Sequence, residues 1–589
     1  MNFSLYYRKN KNEDLFKALE NSDFKITNLQ NYVPLYDNFF SLNATNYNSI
    51  NLNQKYYLTS IIEVTDRNSL VAQVADISNT ILEKQVFCKF SPLLDPLKVL
   101  TGKYDVSNNH LKRLPQLNDT TNTCFPKLLD KNNSAYIDSF FTYLSSQLLH
   151  NFNCVNSIDY YGSYLGIQQK FNYNIADDID YLNECDFFHK NEDILYSIDN
   201  SIYSNIFNVD SRSNKKKIVI TEKIPSIELD KLEDTASFMT LQPSHKYLNT
   251  PTKYNESVII DLSQVCIYST DIRSTSKSSK SDSSCSSKSS NTSIDNDEEN
   301  SDNEDNGSVS DNSDYKLNSD CDSDNDGSSI ESNEESILCS IYDFPVQMIS
   351  MEKCTNTLDY LMENDLLNEE EWASCLFQII ITLALYQKVF SFTHNDLHTN
   401  NIMYINTDKQ YLHYCLNDVY YKIPTFGKIY KIIDFGRAIY KFNGKMMCSD
   451  SFHPKGDAGS QYNCEPYFND KKPRLEPNYS FDLCRLACCL FDNFIEDIDD
   501  VEQVIKKNRV AHLVYSWLID DKKRNILYKT NGEERYPEFK LYKMIARTIH
   551  GAVPSKQLNH PLFKNYIVVK KKINKNHKII NIDKIPVLY

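Results

Sequence analysis

The segment from about Glu369 to Phe390 is apolar on almost every side. Ala373, Leu376, Phe377, Ile380, Leu383 and Ala384 recur at three- and four-residue spacing, and Ile379, Ile381 and Leu385 fill the other faces. A helix of this kind has no face to give to water, so it belongs at the centre of a domain. It delivers the chain into a stretch of opposite character, Phe392-Thr393-His394-Asn395-Asp396-Leu397-His398-Thr399-Asn400-Asn401-Ile402-Met403, which is answered downstream by Ile432-Ile433-Asp434-Phe435-Gly436-Arg437-Ala438.

An Asp, an Asn five residues later and a second Asp before Phe-Gly are the parts needed to hold Mg²⁺-nucleotide beside a hydroxyl nucleophile. Length and charge are compatible with that chemistry. At 589 residues the chain has room for two or more structural units. Its formal charge of −16 is concentrated between Asp295 and Glu335, where 16 acidic residues and the single base Lys316 give −15. The remainder is nearly neutral, which argues against a nucleic-acid or membrane partner. Sixteen cysteines without CxxC pairs read as reduced thiols of a cytosolic protein rather than a zinc site or disulfide framework. The first residues lack the apolar core of a signal peptide. The longest apolar run, Phe377 to Tyr386, is shorter than the roughly 20 residues that span a bilayer.

Along the chain, residues 1–47 read as an extension packed on the first domain. Strand-like runs at Lys55–Val64, Ser69–Ile77 and Lys84–Phe90 suggest an antiparallel meander. Lys89 stands in the last of these, in a strand otherwise suited to burial, and a buried Lys needs a partner. It is either a surface residue of an alternating strand or a phosphate ligand. Ser134–His150 reads as a helix capped by Asn133 or Ser134, and its one acid, Asp138, is either Lys89's partner or a first-turn carboxylate favouring the helix dipole. Ser157–Gln169 fits a strand pair turning near Gly162 or Gly166. Short apolar runs at 218–220 and 258–260 are strand-like. The Ser/Asp/Asn/Glu tract 272–336 cannot bury enough apolar surface to fold and is expected to be disordered. Asp322 to Gly327 within it echoes a calcium loop, without Glu at the twelfth position. Order resumes with a strand at Phe344–Glu352 and a short helix from Thr357.

His394-Asn395-Asp396-Leu397-His398-Thr399-Asn400-Asn401 resembles the His-Arg-Asp-Leu-x-x-x-x-Asn loop of eukaryotic-type Ser/Thr protein kinases, and Asp434-Phe435-Gly436 resembles their Asp-Phe-Gly. The chain is also similar to divergent kinase-like proteins of large DNA viruses. The resemblance covers roughly 48–182 and 337–565. It implies an α+β, two-lobed protein-kinase-like fold, with an antiparallel β N-lobe, a mainly α C-lobe and a large, partly disordered insertion in the N-lobe. Its parts would be an N-terminal extension (1–47), N-lobe (48–182), insertion (183–336, acidic from about 272), last strand and hinge (337–353), C-lobe (354–566) and basic tail (567–589).

It also implies residue roles. Asp396 would take the acceptor hydroxyl's proton. Asn401 and Asp434 would hold Mg²⁺, and Lys89 paired with Asp138 would pin the ATP phosphates. The Glu352 carbonyl and Cys354 amide would meet the adenine edge. His394 and Asp482 would support the loop, and Gly436 would let the backbone turn after the metal ligand. The partners would be ATP and a protein substrate, in the cytoplasm (host cytosol or virion, for a viral source).

Departures from the pattern matter as much. No glycine precedes Gly102, so the turn Asp66-Arg67-Asn68-Ser69 stands where a glycine-rich phosphate loop would be. Asn395 replaces an Arg that would receive an activating phosphate, so activity is expected without phosphorylation at Ser449, Ser451, Ser460 or Tyr462. Asp396 and Asp434 are 38 positions apart, implying an insertion around 404–430. Ala-Pro-Glu is missing. His398 and Asp-Phe-Gly-Arg-Ala also resemble aminoglycoside and choline phosphotransferases, so a small-molecule acceptor stays open, as does a pseudokinase scaffold.

Overall fold

The computed structural model describes residues 4–106, 109–198, 337–495, 497–537, 539–574 and 577–589. The acidic tract, the calcium-loop echo and the apolar runs at 218–220 and 258–260 lie outside these residues. In the first part of the chain come β1 (Tyr7–Lys9), α1 (Glu13–Glu20), β2 (Ile26–Gln30), β3 (Ile50–Leu52), β4 (Tyr56–Asp66), β5 (Ser69–Asp76), β6 (Ile81–Pro92), α2 (Ser134–Phe152), β7 (Tyr160–Asn174), β8 (Tyr196–Ile198) and β9 (Leu338–Glu352). Seven of the strands form one antiparallel sheet in the order β2-β7-β9-β6-β5-β4, with β8 also paired to β9.

The meander expected over 55–90 is β4-β5-β6. Residues 1–47 do more than pack on it, because β2 is itself the outermost strand beside β7. The strand pair expected over 157–169 is instead the single strand β7, and its two glycines explain the difference. Gly162 (φ +145°) sits at a register shift against β9, where a Cβ would stand 2.9 Å from the Tyr164 hydroxyl. At Gly166 a Cβ would lie 2.7 Å from Ile26, so this glycine admits β2 at close approach. Neither glycine makes a turn. Residues 183–198, expected as the start of an insertion, include β8 and so belong to the sheet.

Helix α2 starts where Asn133 caps it, the side chain accepting from the Ala135 N–H, and ends at Asn153 in the left-handed conformation. It is buried from Ala135 to Leu148 and packs on β7 and β9, with Ser139 Oγ bonded to Ser163 Oγ at 2.8 Å.

The second part of the chain holds β10 (Asn356–Thr357), α3 (Leu358–Glu363), α4 (Glu369–Phe390), β11 (Ile402–Asn406), β12 (Tyr411–Leu416), β13 (Val419–Pro424), β14 (Lys428–Ile432), β15 (Ile439–Phe442), β16 (Lys445–Cys448), α5 (Phe481–Phe494), α6 (Arg509–Trp517), α7 (Phe539–Thr548), β17 (Ile567–Val568) and β18 (Ile580–Asn581). Helix α4 is the central helix the composition demanded. Asn368 and Glu371 close a capping box at its start, and Ser391 in the left-handed conformation stops it. Among the described residues it alone is long and apolar enough to cross a membrane, and 94% of that stretch is buried inside the chain.

The insertion expected around 404–430 is the hairpin β12-β13, turned by Asn417 and Asp418, both at positive φ. Strands β17 and β18 complete it into a four-stranded sheet, so the chain beyond the exposed lysines 570–572 is not a free tail.

The two parts meet through aromatic rings. Phe141 of α2 stacks on Phe392 at 4.3 Å and meets Phe435 at 4.7 Å, Tyr440 at 4.8 Å and Tyr386 of α4 at 5.2 Å. All five rings are fully buried. Phe141→Ala is predicted to lower the unfolding free energy by about 3–5 kcal/mol in urea titration, through lost burial and a cavity. A loss below about 1 kcal/mol would mean that the cluster does not join the two parts.

Candidate active site

A small sheet brings the two polar motifs side by side. Strands β10, β11 and β14 pair antiparallel, with Ile402 opposite Ile432. Because β11 begins directly after Asn401 and β14 ends two residues before Asp434, this register lays the motifs against each other. The Ile433 N–H donates to the Asn401 carbonyl at 3.0 Å. The chain leaving β9 enters the same sheet, the Thr355 N–H bonding the Tyr404 carbonyl at 2.8 Å.

The loop after α4 is fixed from below by Asp482 of α5. Its fully buried carboxylate accepts from the His394 N–H (2.9 and 3.1 Å) and the Asn395 N–H (2.9 Å). Burial pushes this carboxyl up, against the pull of His394 and the two amides. The His394 Nε2 faces the Ile433 carbonyl at 2.9 Å, which requires its proton there and leaves Nδ1 to accept from the Asp396 N–H at 3.3 Å. His394 is thus buried and hydrogen-bonded through both ring nitrogens. Asp396, half-buried, has its Oδ1 3.5 Å from the Tyr542 hydroxyl and its Oδ2 3.9 Å from Arg437 Nε.

Asn401 donates through Nδ2 to the Asp396 carbonyl (2.9 Å) and to His398 Nε2 (3.0 Å). These two bonds settle which end of the amide is nitrogen. Burial lowers His398 to about 4, so its ring is neutral and able to accept.

Lys89 and Asp138 do meet. The Lys89 ammonium lies 2.7 Å from Asp138 Oδ2 and 2.8 Å from Asp434 Oδ1, and the other Asp138 oxygen accepts from the Phe435 N–H at 2.9 Å. Burial works against ionisation of Asp434, and Lys89 outweighs it, holding the carboxyl below its ordinary range. Asp138 is pushed upward, by burial first, with Lys89 pulling the other way and the Asp434 charge adding to the rise. The left-handed turn falls on Asp434 itself (φ 63°) rather than on Gly436, where freedom to turn was expected.

A hard divalent cation fits the donor set: Asp434 Oδ2 and Asn401 Oδ1 accept no hydrogen bond from a described residue. Among the described residues no group of three His, Cys, Asp or Glu gathers to hold a metal alone. A cation there would complete its shell with phosphate and water oxygens, as Mg²⁺ usually does.

Glu352 and Cys354 stand at and just beyond the end of β9. The Glu352 side chain has a task that its sequence position did not reveal: Oε1 accepts from the buried Lys431 ammonium and from the Asp159 N–H at 2.8 Å. Cys354 is buried. The turn standing in for a glycine loop is held by Asn68, which exchanges bonds with Cys88, and by an ion pair of 3.2 Å between Asp66 and Lys353.

No protein-family model matches the chain. Over 100 residues it is 35% identical to a protein of Acanthamoeba polyphaga mimivirus named "Putative serine/threonine-protein kinase", a stretch amounting to 15% of this chain and 21% of that protein. The chain thus spans about a fifth of the curated relative it matches. The relationship is partial and kinase-like.

Beyond Asp434 the chain is tied down by residues without a local sequence signal. Asn395 donates to the Arg437 carbonyl (3.1 Å) and accepts from the Tyr462 hydroxyl (2.8 Å), and Arg437 is ion-paired to Asp457. Asp450 reaches back to the start of α2, where its carboxylate pairs with Lys127 and accepts from the Ser134 N–H at 3.1 Å. The Asp450 N–H donates to the Asn132 carbonyl at 2.7 Å. A carboxylate at a helix N-terminus is favourable for the peptide dipoles, and here it holds the helix carrying Asp138. Asp450→Ala is predicted to lower stability by about 1–2 kcal/mol and to speed amide exchange in the first turn of α2. Unchanged exchange there would show that Asp450 does not hold the helix.

Proposed function

We propose that the protein is an ATP- and Mg²⁺-dependent phosphotransferase, a serine/threonine protein kinase moving the γ-phosphate of ATP to a protein hydroxyl. The observation that carries this is the convergence on Lys89 of carboxylates from two distant elements, Asp138 of α2 and Asp434 after β14, beside a loop presenting Asp396 and Asn401. In this reading the large sheet, from β2 to β9, belongs to one lobe and the chain from 354 onward to the other, with ATP between them. The partial relative's name supports a kinase of this class.

In that role Asp396 accepts the proton of the acceptor hydroxyl, a contribution of typically 10²- to 10⁴-fold. Lys89, steadied by Asp138, holds phosphate oxygens from the sheet side. Asn401 and Asp434 hold Mg²⁺, which when bound neutralises charge developing on the transferred phosphoryl group. Asp482 keeps Asp396 at fixed height by holding the backbone on its N-terminal side. The Glu352 carbonyl and Cys354 amide face the base. A protein acceptor is favoured by the segment 439–479, which starts at the hairpin β15-β16 and returns beside Asp396 through Arg437 and Asp457.

The test is transfer of ³²P from [γ-³²P]ATP with Mg²⁺ to casein or histone, against transfer to choline or an aminoglycoside. Label in protein is expected, and Asp396→Asn is predicted to lower turnover about 10²- to 10⁴-fold with ATP binding nearly intact. Label on small alcohols alone would replace the acceptor class, and nucleotide binding without transfer would make the protein a scaffold. Phosphatase treatment is predicted to leave turnover unchanged, because neutral Asn395 meets Tyr462 directly and Asp450 already supplies the anion at α2. Loss of activity would overturn that prediction.

A further inference from the structure

Arg485 is the one charged residue of α5 between Asp482 and Asp492, and it is fully buried. No carboxylate among the described residues lies within ion-pairing distance of it. Its Nε donates to the Tyr542 hydroxyl at 2.9 Å, Nη1 meets Cys489 Sγ at 2.7 Å, and Nη2 has no partner among the described residues. A guanidinium taken out of water without a counter-ion is costly unless an anion nearby gains from it. The nearest group fitting that description is reached through Tyr542. That phenol, also buried, accepts a hydrogen bond from Arg485 on one lone pair and turns its own O–H toward Asp396 Oδ1 at 3.5 Å. Burial pushes the phenol up to about 12, with Arg485 pulling it down and the Asp396 charge adding to the rise, so it stays a donor at neutral pH. The three groups form one polarised chain in which each donor strengthens the next.

We propose that Tyr542 and Arg485 are positioning residues for Asp396, the phenol fixing the rotamer of the carboxylate and the buried guanidinium fixing the phenol. This rests on the reading of Asp396 as the acceptor-side base. Two independent features of the fold bear on it. Arg485 lies one helical turn beyond Asp482 on the same helix, so α5 holds the backbone of the loop with one residue and the phenol facing its carboxylate with another. Tyr542 comes from α7, so the rotamer of Asp396 also depends on how α5 and α7 pack, and their rings Phe481 and Tyr542 stand 5.9 Å apart.

The experiment uses the full chain with Mg-ATP and casein. Tyr542→Phe removes one oxygen and no volume, and is expected to lower kcat about tenfold, the usual effect of deleting a hydrogen bond to a charged group, with KM for ATP within about twofold of wild type. In an Asp396→Asn background the same substitution is expected to cost nothing further. Arg485→Lys is expected to keep more turnover than Arg485→Met, although Met fills the buried site without an unpaired charge. Should Arg485→Met fail to fold, Tyr542→Phe still decides. Wild-type kcat in Tyr542→Phe, or a loss that adds fully to that of Asp396→Asn, overturns the proposal. An inactive wild type is instead a failure of the functional reading. Crystal structures of wild type and Tyr542→Phe then decide: a carboxylate that leaves its rotamer only in the variant supports positioning, and an unmoved one overturns it.

Discussion

The Lys89 ammonium, shared between Asp138 and Asp434, is the interaction on which the arrangement of the site depends. Its three members come from β6, α2 and the segment after β14, and the two carboxylates are 297 − 1 = 296 positions apart in sequence. Removing one partner of a buried pair leaves a charge without compensation, typically at about 3–5 kcal/mol. One cation facing two carboxylates therefore fixes the distance of α2 from the Asp434 loop. The apolar rings set the same spacing by a different force, Phe141 lying on Phe392 and Phe435 one turn along α2 from Asp138. Packing and charge agree, which is what makes the geometry specific.

The loop bearing Asp396 is held more rigidly than its polarity suggests. Asp482 grips it from α5, His394 bridges it to Ile433, and Asn395 secures it to Arg437 and Tyr462. Both Asn395 and Asp434 take left-handed backbone conformations, φ 64° and 63°, outside glycine. Such conformations persist where surrounding bonds over-determine them, and they concentrate where side chains must be aimed. A second bolt, Lys431 on Glu352, secures the end of β9 to β14, the strand that leads to Asp434.

Much of this was legible in the sequence because it is local. Helix α4 was set by apolar spacing and α2 by spacing with a cap at Asn133 or Ser134, whereas the long interval between Asp396 and Asp434 marked an insertion and not its hairpin form. Lys89 and Asp138 were readable because each is the one charged residue in an otherwise buried stretch. What could not be read is long-range. Gly162 and Gly166 looked like turn residues, since spacing does not distinguish a bend from a backbone making room for Ile26 or a bulge. Asp450, Tyr542 and the Glu352 side chain act on partners far along the chain. Arg485 did leave a trace, a lone charge inside the apolar run of α5, and that pattern is the one that had singled out Lys89.

Residues 580–588 carry one more implication. Strand β18 pairs with β12, the Asp583 carboxylate accepts from the Asn417 and Asp418 amides at the hairpin turn, and Leu588 bonds both Val389 near the end of α4 and Asn443 in the β15-β16 turn. The helix that delivers the Asp396 loop is therefore clasped on its last turn by the same segment that holds the β12-β13 turn. Gln387 and Ser391 tie the same helix end to Tyr479, ahead of α5, so two distant segments share the task. One stretch of nine residues thus couples a peripheral hairpin, the β15-β16 turn and the helix leading into the Asp396 loop.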